Sequence, residues 1–456
     1  MIESSLENLK DSGFMDCISE KTNLEKDAVY GFFYNFILFE SKSDKVSRSF
    51  FLSFLVLFFV PIRLLFKFNR KNKSFHDVAF NIWNDDYKVK VYEEYYKDLV
   101  SLLGLKSIFH LNSFSKKERV GDKEYVAQYI DKVLVLKLLF NVCFNLKVLR
   151  QCYVLSRLYK VNLFYVLARF MNVFFKSHGL AKDIRVKVYV TANDLSASLL
   201  NYFMFKKFGI KYILIQSSLR DSRLLQYKGA DIIYCYGEHQ KSLYDSKVNQ
   251  FARIVSCGSI KNANYLNKKT IKEYDVLLVE QYSDKSDYIY STNESYMKIL
   301  KNFIRFSQEF PNLKLVYRTR PDKRSQRGRI KIYDSIFNEL ENSSIEQDSE
   351  GASYDRVIRS KLVIGYFSTL CFESIGLGVP ATFFYYNDHQ FEVFDYDNSG
   401  EDVLVTDSSY EVFKNKLLDR LNSDNSDYFS KYKSIYMNQK DGLIETISED
   451  IKKSVL

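Results

Sequence analysis

Three side chains in FSTLCFESIGLGVPATFF, Phe367 to Phe384, have types and spacing suited to holding a nucleotide: Ser368, Thr369 and Glu373. The flanking runs KLVIGY (361–366) and ATFFYY (381–386) read as buried parallel strands, so a crossover helix is predicted between them. Ser368 then falls at the helix N-cap, Gly378 at a left-handed position past its end, and Pro380 blocks continuation. Glu373 has no such punctuating role. It stands four residues after Thr369, on the same helical face. In an open α/β sheet the helix N-terminus points into the crevice beyond the carboxyl ends of the strands. Backbone amides and hydroxyls there suit a phosphate, and a carboxylate one turn deeper can accept from the two hydroxyls of a ribose.

The elements that must position this group form two alternating series. VKVYVT (186–191), YILIQ (212–216), DIIYCYG (231–237) and ARIVSCG (252–258) are strand candidates separated by helical patterns. After the polar stretch KNANYLNKKTIKEYD the alternation resumes with DVLLVE (275–280), LKLVYR (313–318), KLVIGY and VLV (403–405). The expected fold class is α/β, with two Rossmann-like domains facing a cleft and a helical N-terminal extension. The expected boundaries are 1–180 for the helical region, 181–262 (with parts of 1–180) and 263–430 for the two domains, and 431–456 for a C-terminal helix packing across the join.

Composition narrows the partners. The 456 residues include 66 Lys and Arg against 56 Asp and Glu, a formal charge of +10 that favours an anionic partner. The cations are dispersed or confined to one loop, with no recognised module, which argues against nucleic acid. Six cysteines without CxxC spacing and five scattered histidines give no zinc pattern and no disulfide framework, so a cytoplasmic setting is expected. Asp395-Tyr396-Asp397 is a DxD match in a polar loop and reads as surface; no metal and no cofactor is expected.

One segment departs from the soluble pattern. SFFLSFLVLFFVPIRLLFKFNRKNK, Ser49 to Lys73, is an apolar run too short to span a bilayer, interrupted by Pro61 and Arg63 and flanked on both sides by Lys and Arg. That pattern fits an in-plane contact with an anionic membrane surface, the alternative being a buried helix with a solvated basic end. Asp131 to Lys176 is basic and amphipathic, and reads as helices that pack one face and solvate the other.

The S-T-x-x-x-E-x-x-x-x-G-x-P pattern from Ser368 to Pro380 resembles the donor-nucleotide motif of GT-B glycosyltransferases. Its flavour is that of bacterial surface-polysaccharide enzymes: the capsule and lipopolysaccharide Kdo transferases and the CDP-glycerol glycerophosphotransferase group. By this resemblance Ser368 and Thr369 contact the donor phosphate and Glu373 the ribose. Arg318 and Arg320, in the loop RTRPDKRSQRGR, supply the charge a metal would otherwise provide; Arg320-Pro321 stands where the similar families carry His-Pro. QSSLRD (216–221) resembles a Gln-His-Gly-type turn without its His and Gly, making Gln216 and Ser217 cleft residues. YGEHQKSLY (236–244) resembles a Trp-Gly-Glu segment and brings Glu238 and His239 to the same cleft, and CGS (257–259) resembles a closing Gly-Ser.

Asp194, in TANDLSAS, is either an N-cap or, with Glu238, a candidate general base for an acceptor hydroxyl. The activity implied is metal-independent transfer of a sugar, Kdo from CMP-Kdo among the options, from a nucleotide-sugar donor to a glycan or lipid-linked acceptor. The setting implied is the cytoplasmic face of an inner membrane. The alternatives are transfer of glycerol phosphate from CDP-glycerol, or a non-catalytic glycan- or membrane-binding assembly protein.

Overall fold

The computed structural model describes every residue except 1, 41–49, 67–74, 83–91, 112–124, 127–128, 195–197, 269, 283–291, 320–330, 349–352, 388–391 and 401. Two parallel sheets divide the chain. The first has seven strands in the order β3-β2-β1-β4-β5-β6-β7. These are β1 Val78–Ile82, β2 Ser107–Leu111, β3 Tyr125–Val126, β4 Val188–Thr191, β5 Lys211–Ile215, β6 Gly229–Cys235 and β7 Gln250–Ser256. The second has six in the order β10-β9-β8-β11-β12-β13. They are β8 Tyr274–Val279, β9 Leu315–Arg318, β10 Glu346–Asp348, β11 Ser360–Gly365, β12 Ala381–Phe384 and β13 Leu404–Val405. In both sheets the strand order reverses once, between β1 and β4 and between β8 and β11. At such a reversal the connections leave in opposite directions and open a crevice beyond the strand ends.

This is the expected pair of Rossmann-like domains, with one correction. The first 180 residues are not helical throughout: β1, β2 and β3 lie there and complete the first sheet, β1 pairing in parallel with both β2 and β4. The helices Gly13–Thr22, Lys26–Glu40, Phe50–Leu65 and Leu163–Asp183 share one apolar cluster with one face of that sheet. The 21-residue helix Leu163–Asp183 is its centre, capped by Asn162, whose Oδ1 accepts from Tyr165 N at 3.3 Å.

The C-terminal end crosses between the domains. Ser426–Tyr436 is a helix whose Tyr428, Tyr432 and Tyr436 belong to the second domain's core. After it the chain passes to the first domain, where Asn438 N donates to Tyr236 O at 2.8 Å. The helix Leu443–Val455 then buries Leu443, Ile447 and Ile451 against Val78, Val188 and Val190. The return across the join is made by a second helix that starts at Leu443, where the sequence reading expects a single helix over 431–456. Gly376 lies under this crossing: a Cβ there would stand 2.5 Å from Met437 Cγ and 2.8 Å from Asn262 Nδ2.

Candidate functional site

The reversal point of the second sheet carries the predicted nucleotide group. Where β11 ends, Gln281 Oε1, from the end of β8, accepts from Tyr366 N at 3.1 Å and Phe367 N at 2.5 Å. This fixes the turn into the helix Thr369–Gly376. Ser368 sits at its N-cap with φ −65° and ψ 135°, as the spacing predicts, but its hydroxyl makes no capping bond. Gly378 has φ +74°, the left-handed conformation expected past the helix end. The first amides of a helix have no intrahelical partner, so those of Thr369 and Leu370 are left beside the half-buried Ser368 side chain.

The first domain supplies the opposite wall. Asp194, just past β4, is wholly buried and takes three bonds: from Ser217 Oγ at 3.0 Å, and from Arg220 Nε and Nη2 at 3.0 Å each. It lies at the first sheet's reversal point, but both of its oxygens are committed. The expected open general base is not what the structure shows, because a bidentate guanidinium and a serine hydroxyl already engage both oxygens. What Asp194 does is hold the loop after β5. That loop reaches the other domain, where Leu219 N donates to Thr369 Oγ1 at 3.4 Å. Gln216 is an internal brace: its Nε2 donates to Gln240 Oε1 at 2.6 Å, and its Oε1 accepts from Tyr236 N at 3.0 Å.

Glu373, like Asp194, takes three side-chain contacts on its carboxylate, here from three different residues. Its Oε1 accepts from Ser259 Oγ at 2.7 Å and pairs with Lys261 Nζ at 2.9 Å, and its Oε2 accepts from Tyr354 OH at 2.6 Å. Its backbone carbonyl accepts from Asn262 Nδ2 at 2.8 Å. Ser259, Lys261 and Asn262 belong to the short segment after β7 that joins the domains, so Glu373 ties the second domain to that joint. Burial disfavours the Lys261 ammonium, but the facing Glu373 carboxylate, together with Tyr95 and Glu94, outweighs it and holds the lysine above its usual range. The ammonium lies between the rings of Tyr95 and Tyr354, 5.7 Å and 5.8 Å from their centroids.

The remaining predicted residues divide. His239 Nε2 lies 2.7 Å from the Glu392 carbonyl oxygen and Nδ1 3.9 Å from Asp395, so His239 bridges the two domains. Ser222 N donates to Glu392 Oε2 at 3.1 Å beside it. Glu238 stands half exposed on the neighbouring turn, paired with Lys241 at 3.2 Å. Arg318 is turned away into its own domain: Nη1 pairs with Asp348 at 2.8 Å, and Nε and Nη2 donate to Ser353 Oγ. The expectation that it meets a phosphate is corrected by this buried pairing. Arg320 lies outside the described residues. Asp395 closes a turn, accepting from Asn398 N at 3.2 Å, and the described residues contain no cluster of acids, His or Cys able to hold a metal ion.

Sequence reasoning passed over Lys261, Tyr354, Tyr95 and Lys228. Burial lowers the pKa of Lys228 to about 8, offset in part by Asp194 and reinforced by Arg220. Lys261 had one signal, its place three residues after the CGS-type Gly258. Tyr95 and Tyr354 had none, being two among 35 tyrosines.

Residues 215–399, from the end of β5 past β12, match a family described as "putative O-antigen biosynthesis protein". No curated protein sequence matches the chain. Among solved structures, one described as a "putative UDP-N-acetylglucosamine 2-epimerase" from Listeria monocytogenes superposes with a TM-score of 0.50 at 12% identity, covering 83% of this chain and 96% of that one. A UDP-GlcNAc 2-epimerase from Neisseria meningitidis bound to UDP-GlcNAc gives 0.48 at 11%, covering 83% and 100%. The wall teichoic acid polymerase TagF gives 0.46 at 11%, covering 83% and 88%. With two Rossmann-like sheets, each reversing order once, and cleft walls built from their carboxyl ends, the chain has the GT-B fold, and its residues 215–399 are similar to the family described as "putative O-antigen biosynthesis protein".

Proposed function

We propose that this protein is a glycosyltransferase of cell-surface polysaccharide assembly that binds a nucleotide-sugar donor at the helix Thr369–Gly376. One observation carries the reading: the N-terminus of that helix, with the Ser368 hydroxyl free of capping duty, sits at the reversal point of the second sheet and faces the Ser217–Arg220 loop of the first domain. Free amides, two hydroxyls and the positive end of a helix dipole form a cradle for a diphosphate or phosphate leaving group. The matched O-antigen family and the nucleotide sugar named for the Listeria structure agree with this donor class.

Within the reading, Glu373 is the ribose acceptor only if the donor displaces a present partner. A carboxylate offers about four lone-pair sites, and Ser259, Lys261 and Tyr354 use three of them. Glu238 is half exposed and engages the neighbouring Lys241 through Oε2, so the general-base role falls to it rather than to Asp194. CMP-Kdo and CDP-glycerol are the donors to try first, on the motif alone. The acceptor is a surface glycan or its lipid-linked precursor at the cytoplasmic face of the inner membrane.

The test is thermal stabilisation by CMP, CDP, UDP and GDP. A nucleotide at 100 times its Kd adds about 2.7 kcal/mol. Thr369→Val and Ser368→Ala should weaken the shift while leaving the ligand-free melting temperature within a few degrees. A wild-type chain that none of the four nucleotides stabilises ends the transferase reading.

A further inference from the structure

The helix Phe50–Leu65 is apolar apart from Ser53 and Arg63, and its two sides have different fates. Ser53, Leu57 and Leu64 turn inward and are buried, and Phe54 packs edge-on against Phe164 at 5.7 Å. Leu52, Leu55, Phe59, Ile62 and Phe66 recur every three or four residues along the opposite side and stand in solvent, Phe66 at 84% exposure. This stripe has neighbours. Cys143 Sγ donates to Leu57 O at 3.6 Å, and the Phe58 ring lies 4.9 Å from that of Phe144, which stacks on Phe140 at 5.7 Å.

Lys132–Leu138 and the π-turn Leu139–Cys143 therefore lie beside Phe50–Leu65 and add Val133, Leu136, Phe140 and Phe144 to the same exposed surface. The helix Leu146–Tyr159 continues it with Leu146, Val154 and Leu158. Of the nineteen large apolar side chains that are exposed among the described residues, fourteen fall on Phe51–Phe66 and Val133–Leu158. A soluble monomer seldom concentrates its exposed apolar surface in this way.

Charge says what covers it. From Lys132 to Lys182 and from Phe50 to Phe66 the sequence has no Asp or Glu, while Arg63, Lys137, Lys147, Arg150, Arg157 and Lys160 are interleaved with the exposed apolar residues. A second copy of this chain would set these cations against each other across the contact. A bilayer with anionic headgroups takes both components, the apolar side chains into the acyl boundary and the cations onto phosphates. Among the described residues no helix is long and apolar enough to cross a membrane.

We infer that the face built by Phe50–Leu65, Lys132–Cys143 and Leu146–Tyr159 docks in the plane of an anionic lipid bilayer. The sequence pattern pointed to Ser49–Lys73 alone and gave the second segment to ordinary packing. The structure joins the two into one surface. This contact does not depend on nucleotide binding, and its test uses none.

The full chain is mixed with vesicles of phosphatidylcholine alone or with added phosphatidylglycerol, and its co-flotation is measured across a salt series. Binding should require the anionic lipid and weaken as salt rises. Leu55→Glu/Phe59→Glu should abolish it, and Lys147→Glu/Arg150→Glu should weaken it at least 10-fold. All these positions are exposed, so circular dichroism melts should stay near wild type. Absence of flotation with anionic vesicles overturns the inference, as does flotation that both double variants leave unchanged. A discrete dimer that Leu55→Glu/Phe59→Glu dissolves, in a chain that ignores vesicles, assigns the face to self-association instead.

Discussion

Glu373 and Lys261 form a buried ion pair in which the carboxylate has three donors and the lysine has Glu373 as its counter-charge, and that determines what removing one of them costs. Glu373→Ala strips the carboxylate from Lys261, Ser259 and Tyr354 together and leaves an ammonium buried among two tyrosine rings. Stranding one charge of a buried pair costs about 3–5 kcal/mol. Lys261→Met leaves Glu373 with two hydroxyl donors and should cost less. Urea unfolding of the two single variants and the double variant should give a strongly non-additive cycle, with Glu373→Ala/Lys261→Met more stable than Glu373→Ala. Additive losses would mean the pair does not interact as drawn.

Lys228 gives a pH signature at the same scale. Its folded pKa, about 8, lies below the unfolded 10.5. Between those values the unfolded chain binds the extra proton, so this group's contribution makes stability rise with pH, and below pH 8 it is a standing cost. Asp194, which favours the charge, and Arg220, which opposes it, face the lysine in both forms. Lys228→Met should remove the rise, so the stability difference between variant and wild type should shrink as pH goes from 7 to 9.5. Chemical denaturation at a series of pH values measures it, and parallel curves for the two proteins would place the titration elsewhere.

At the scale of elements, the second domain was far more legible in sequence than the first. β8, β9 and β11 are apolar runs bounded by polar stretches, and Gly378 and Pro380 mark the end of the helix Thr369–Gly376 unambiguously. β1, VAFNI, is buried at every position and only five residues long, so it has no period by which to tell a strand from a piece of helix. β2 carries His110, whose Nδ1 lies 2.6 Å from the Tyr189 hydroxyl, a polar group in a core strand that only the tertiary partner explains. β3 is two residues long and exists by pairing with β2. The site divides the same way. Spacing located Ser368 and Thr369 because capping and crevice geometry are local. It misjudged Asp194 and Arg318, whose partners Arg220 and Asp348 are 26 and 30 residues distant. Pairing over such separations leaves no spacing to read.

For the whole molecule, the C-terminal helix makes domain boundaries in sequence and in space disagree. Leu443–Val455 follows the second domain along the chain, yet its core residues pack on β1 and β4 of the first, and Lys187 Nζ donates to Val455 O at 2.6 Å. The helix therefore acts as a strap: the first domain is complete only when the last residues of the chain have returned to it. Ile447 and Ile451 are fully buried, and truncating such a side chain costs about 2–5 kcal/mol through lost transfer energy and the cavity left behind. That loss should be felt where the helix packs, not where it is attached. Hydrogen exchange of Ile447→Ala should show faster opening in β1 and β4, with β8 and β11 as protected as in wild type. Nucleotide stabilisation of the second domain should survive the substitution. Equal loss of protection in β11 would mean that the two domains unfold as one cooperative unit, and that the strap holds the cleft together rather than closing one of its walls.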